Sequence, residues 1–209
     1  MLDPSGTWSV DGNNDGYEFI EFTPYGEVWT VGLTHKKDLP SMRGVGFFHQ
    51  GYLCVARGIV VQPAELDGTV GLVQYELQNF GTLPARWYHP SLSGTLSEGL
   101  SFDGPSDGIV GEYYADYQDR EGSAFTQLRK TILKATGCFH FSWWDYEKFH
   151  YIGIGSIVAG NLFAAWGPPG SIIQFVYYDF RYAETGVCGA WYDYGRGKRG
   201  IEVLCRLGD

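Results

Sequence analysis

The chain has 209 residues and a formal net charge of −9, with 17% aromatic and only 19% charged residues and 30 glycines. A field of that sign repels phosphate backbones, so nucleic acid is not an expected partner, and the composition is that of a turn-rich folded chain, not a disordered one. No apolar run approaches the roughly 20 residues a membrane-spanning helix needs, and Met1 to Trp8 shows neither the basic nor the apolar part of a secretory leader, so the expectation is a cytoplasmic protein with no membrane partner.

In chain order, Gly6 to Val10 reads as a short strand, followed by the turn Asp11-Gly12-Asn13-Asn14-Asp15-Gly16. The spacing of that turn departs from a calcium loop. Tyr17 to Phe22 alternates with period 2, placing Tyr17, Phe19 and Glu21 on one face and Glu18, Ile20 and Phe22 on the other; with Val28 to Leu33 it predicts a hairpin across Pro24-Tyr25-Gly26. A polar loop over 34–40 leads to a second hairpin over 42–57 with its tip at Gln50-Gly51. Beyond a loop over 63–68, Val70 to Leu77 and Leu83 to His89 predict another strand pair. No stretch carries a capped 3.6-residue period, so almost no helix is expected.

The second half repeats this order. Gly44 to Gly58 and Gly153 to Gly167 align without a gap and share six of fifteen positions: Gly44/Gly153, Gly46/Gly155, Gly51/Gly160, Leu53/Leu162, Ala56/Ala165 and Gly58/Gly167. Gly111-Glu112-Tyr113 stands where Gly6-Thr7-Trp8 stood, Phe139 to Trp143 matches Trp29 to Leu33, Ala190-Trp191-Tyr192 matches Arg86-Trp87-Tyr88, and Glu202-Val203-Leu204 matches Glu98-Gly99-Leu100. The turn-rich segment 103–108 separates a first β repeat, 1–104, from a second, 105–209. About eight short strands per half predict an all-β protein with two antiparallel lobes. Either each half closes as a small up-and-down barrel, or the halves complete one another across a pseudo-twofold axis.

The Gly-x-Trp/Tyr opening, the Gly-x-Gly followed by Gly-x-x-Leu, the Trp-Tyr pair and the closing Glu-x-Leu resemble a repeat of uncharacterised bacterial proteins, over 6–100 and again over 111–204. Gly6-Thr7-Trp8 in an antiparallel context is also similar to the calycins, the lipocalin and avidin barrels. That resemblance implies a barrel that holds a small ligand.

No Gly-x-Ser-x-Gly elbow, His-Glu-x-x-His, phosphate loop or dinucleotide fingerprint is present, so no cofactor is expected and an enzyme is the less favoured reading. His35 and His49 read as solvated. His140, Asp145 and His150 could in principle form a metal trio, yet their spacing guarantees no geometry and no metal is expected. Among carboxylates, Glu76, Glu98 and Glu202 lie in or near strands, where one facing a barrel interior could serve as general acid or base. Cys54, Cys138, Cys188 and Cys205 have no metal or redox spacing; the first two read as buried thiols. Arg196, Lys198 and Arg199 read as a solvated turn.

The aromatics are the most suggestive set, since Tyr and Trp combine a flat apolar face with a polar handle. Trp29, Arg57, Trp87, Trp143, Trp166 and Trp191 are the candidate ligand-binding residues. Arg57 and Trp166 fall at equivalent repeat positions, so pockets in the two lobes would differ in charge and only one lobe need bind. The expected function is non-enzymatic binding of a small, partly apolar or aromatic ligand, or of a protein partner. The alternatives are a structural protein that forms a homo-oligomer and a cofactor-free isomerase or lyase acting through Tyr, Arg and Glu.

Overall fold

The structure, a computed structural model, describes residues 3–12, 16–35, 41–59, 70–118, 124–145, 148–182 and 186–207. Sixteen strands follow one another: β1 (Gly6–Asp11), β2 (Tyr17–Tyr25), β3 (Val28–His35), β4 (Met42–His49), β5 (Tyr52–Ile59), β6 (Gly71–Tyr75), β7 (Leu83–Tyr88) and β8 (Ser97–Phe102) in the first half, then β9 (Gly111–Gln118), β10 (Ala124–Ala135), β11 (Cys138–Trp144), β12 (Phe149–Val158), β13 (Asn161–Gly167), β14 (Ile172–Asp179), β15 (Val187–Asp193) and β16 (Arg199–Arg206) in the second. No helix occurs among the described residues, and the strands close into two antiparallel eight-stranded barrels, as the repeat pattern predicts.

The barrels are interleaved. The first runs β1-β2-β3-β4-β5-β14-β15-β16 and closes β16 on β1; the second runs β9-β10-β11-β12-β13-β6-β7-β8 and closes β8 on β9. Each takes five strands from one repeat and three from the other, the arrangement in which the halves complete one another. The chain passes between barrels after β5 and again after β13, so β5 pairs with β14 (Arg57 opposite Gln174) and β13 with β6 (Trp166 opposite Gly71).

The shared glycines have a physical reason. At the tips of the matched hairpins Gln50-Gly51 and Ala159-Gly160 all take positive φ, the twist-matched two-residue turn that favours glycine at its second position. Within the strands a Cβ on Gly44 would lie 2.1 Å from the Ala56 carbonyl oxygen, and one on Gly155 1.8 Å from that of Phe163. Only glycine allows so close a backbone approach.

Each barrel has an inner core, and a third core lies between them. Val45, Phe47, Cys54, Ala56, Ile173 and Phe175 on the outer face of the first barrel bury against Leu72, Tyr88, Ile154, Phe163 and Ala165 on that of the second. Strands buried on both faces explain the near-continuous apolar runs of β5 and β13. Three sequence expectations need correction. A register shift between Tyr17 and Phe19 breaks the alternation of β2, so Tyr17 is buried together with Ile20 and Phe22. Cys54 is buried but Cys138 only partly so, and burial raises both thiol pKa values. His49 is not a solvated tip residue: it bridges the barrels, 3.3 Å from the Ala159 carbonyl and 3.4 Å from Gln74, with its ring against Phe163.

Candidate functional site

Strand register shows which residues of the two barrels correspond. Arg57 and Trp166 are equivalent, as Gly-x-x-Leu spacing indicates, and so are Gln174 and Gly71, their partners on the adjoining strand. Glu202, opposite Gly189, corresponds to Gly99, opposite Ala85, and not to Glu98. The sequence match of Glu98 with Glu202 is therefore one residue out of register, and one residue turns a side chain to the other face. Glu98 is exposed, whereas Glu202 is fully buried.

In the first barrel these positions carry a polar plug. Arg57 donates from Nη1 and Nη2 to the two oxygens of Glu202 at 2.8 and 2.9 Å, from Nε to Gln174 at 2.8 Å and from Nη1 to Tyr178 at 3.0 Å. Tyr178 also hydrogen-bonds Glu202, and Gln174 donates to Asp193 at 3.0 Å. The paired carboxylate raises the Arg57 pKa against the opposing effect of burial. Of the other candidates, Trp191 is buried in this barrel and Trp29 is half-buried, edge-on to Phe48 at 6.2 Å.

In the second barrel the same positions hold Trp166, Gly71 and Gly99, and the glycines make room for rings. A Cβ on Gly71 would lie 2.2 Å from the Trp166 indole, and one on Gly99 2.4 Å from the Tyr117 ring. Three of the six candidates, Trp87, Trp143 and Trp166, converge here with Val73, Tyr117, Leu128 and Tyr151 around an apolar cavity of about 40 Å³. Tyr151 and Trp166 alone among the lining residues are partly exposed; their rings cross edge to face at 4.9 Å and form the outer wall. Trp143 Nε1 donates to Tyr117 Oη at 2.9 Å, which lies 2.7 Å from Tyr75 Oη. Desolvation raises the pKa of both tyrosines, so they remain neutral donors and acceptors.

Behind that wall is a residue the sequence reading did not single out. Lys130, fully buried, donates from Nζ to Ser101 Oγ at 2.6 Å and stands 3.9 Å from the Tyr75 ring centroid and 4.7 Å from that of Tyr113. Leu128, Lys130 and Ile132 share one period-2 face, but the same alternation takes in Thr126 and the exposed Lys134, so alternation alone did not mark Lys130 as buried. Burial holds the Lys130 pKa well below the usual lysine value.

The other candidate chemistry does not assemble. Asp145 pairs with His150, while His140 packs against Tyr194 at 5.1 Å, and no group of three metal-ligating side chains occurs among the described residues. Glu76 hydrogen-bonds Gln78, and Arg57 is committed to Glu202. His35 ends β3 instead of lying in a loop. No protein-family model, curated protein or solved structure matches the chain.

Proposed function

We propose that the protein is a non-enzymatic binder of a small, partly apolar ligand, which the second barrel holds among Trp87, Trp143, Trp166, Tyr117 and Tyr151. The observation that carries this reading is the asymmetry between the barrels: an apolar, aromatic-lined cavity in one, a salt-bridged plug at the same place in the other. A binding pocket of this type joins a mainly apolar lining to a few oriented polar groups, and the indole of Trp143 with the hydroxyl of Tyr117 supplies them. The size sets a limit. A cavity near 150 Å³ accepts benzene, so about 40 Å³ suits two or three heavy atoms, either a very small ligand or the apolar end of a larger one that passes between Tyr151 and Trp166. The likeness to calycins adds a precedent for ligands inside eight-stranded barrels, by analogy of fold alone.

The test is an NMR titration with a graded series of small hydrocarbons, read at the indole N–H signals. Trp143 and Trp166 should shift and Trp191 should not. No shift with any member, or equal shifts in both barrels, would reject the reading.

A second reading, self-association, draws on a row of side chains across the outside of the second barrel. Phe102 stacks on Tyr114 at 5.8 Å, the Arg129 guanidinium lies over Tyr114 at 5.6 Å and over Trp144 at 5.2 Å, and Phe149 follows at 6.4 Å. Light scattering coupled to size exclusion decides it: a monomer at all concentrations removes this alternative.

A further inference from the structure

The two barrels treat buried cations differently. Arg57 has a carboxylate partner, but among the described residues Lys130 has none: its contacts are a serine hydroxyl and two tyrosine rings, and burial lowers its pKa. Packing does not require an amine there. The equivalent residue of the first barrel, opposite Trp8 as Lys130 is opposite Tyr113, is Ile20, which is as fully buried. An ammonium without a counter-ion in such a site costs several kcal/mol, so burial shifts the amine towards its free-base form, the form that has a nucleophilic lone pair.

Placement joins this amine to the cavity. Leu128, two residues along the inner face of β10, and Trp143, directly across on β11, both line it. Lys130 does not itself line the cavity; for Nζ to reach it, the unbranched four-methylene arm has to turn from Ser101 towards Leu128.

We infer that Lys130 captures small aldehydes covalently, as an imine whose short alkyl group occupies the cavity of the second barrel; this rests on the reading of that cavity as the ligand site. The Nζ lone pair attacks the carbonyl carbon, and the carbonyl oxygen gains a proton as nitrogen loses one, giving a carbinolamine. Loss of water then forms the C=N bond. Ser101, whose Oγ lies 2.6 Å from Nζ, is placed to pass the proton, and no oxidant or reductant takes part. About 40 Å³ corresponds to roughly three water-sized groups, so the preferred class is aldehydes of two to four carbons.

The experiment incubates the full chain with limiting propanal at pH 7, traps imines with borohydride, and maps propylated lysines by peptide mass spectrometry. Xenon-pressurised NMR of the Trp143 and Trp166 indoles runs in parallel. Lys130 should be labelled at least 10-fold faster than the exposed Lys134, Lys148 and Lys198, and Lys130→Met should lose the rapid phase alone. Labelling confined to other lysines, with xenon still shifting the two indoles, would overturn the aldehyde inference and leave the cavity reading intact. Labelling confined to other lysines with no xenon response would overturn both.

Discussion

Arg57 and Trp166 stand at the same point of the two barrels, yet one closes its barrel with a 2.8 Å ion pair to Glu202 and the other, lying on Gly71, borders a cavity. The exchange is concerted: Arg57, Gln174 and Glu202 in one barrel answer to Trp166, Gly71 and Gly99 in the other. A large ring replaces the guanidinium, and loss of two side chains makes space for aromatic rings. One duplicated frame thereby carries an ion-paired polar interior in one barrel and an apolar cavity in the other.

The plug is expected to stabilise the first barrel only as a matched set. Glu202→Gln leaves the Arg57 charge buried without its partner and should cost about 3–5 kcal/mol in urea unfolding. Replacing both residues by leucine should recover most of that loss. Equal losses for the single and double variants would show that the pair is not a coupled unit.

Filling the cavity should have the opposite sign. Val73→Leu adds one methylene at the wall; at about 24 cal/mol per Å³, a cavity of 40 Å³ offers up to about 1 kcal/mol of stabilisation. The variant should unfold at higher urea and lose the hydrocarbon-induced shifts of Trp143 and Trp166. Unchanged stability with unchanged binding would contradict the geometry.

Lys130 gives stability a specific pH dependence. Its folded pKa is depressed, so between that value and the ordinary lysine pKa near 10.4 the unfolded chain binds a proton that the native protein does not. Stability must therefore rise with pH across this window, by up to about 1.4 kcal/mol per pH unit for one proton. Among the described residues the ionisable groups against Nζ are Tyr75 and Tyr113, both shifted upward by burial and so silent there. Urea unfolding at pH 7, 8 and 9 should show the rise in the natural protein and not in Lys130→Met. Parallel profiles would mean that Lys130 titrates normally.

Interleaving predicts how the chain behaves when cut. A fragment of residues 1–104 lacks three strands of its barrel, and 105–209 lacks the other three. Mixed, the two should rebuild the molecule as a 1:1 complex; alone, each should stay unfolded or pair with a second copy of itself. A fragment that folds as a monomer by near-ultraviolet circular dichroism and light scattering would contradict the exchange of strands.

Much of this was legible in the residues, and the rest was hidden for identifiable reasons. The repeat, the strands and the turns at Gln50-Gly51 and Ala159-Gly160 are local, fixed by alternation and by positive φ. Which copy of the last three strands completes which barrel is not local: Arg57 meets Gln174 across 117 positions of sequence, and alternation is blind to that choice. Three of six candidate residues line the cavity because heavy aromatics facing glycine-rich strands leave imperfect interiors. Trp191 does not, since in its barrel Leu33 and Met42 stand where Trp143 and Tyr151 do, and Arg57 fills the centre. The matched Glu98 and Glu202 misled because an identity in sequence can differ by one residue in register.

Whether the second barrel is the receptive one is decided by a crystal held under xenon pressure. One xenon atom should lie among Val73, Trp87, Trp143 and Trp166, and none inside the first barrel. Xenon absent from the second barrel, or bound beside Arg57, would contradict it.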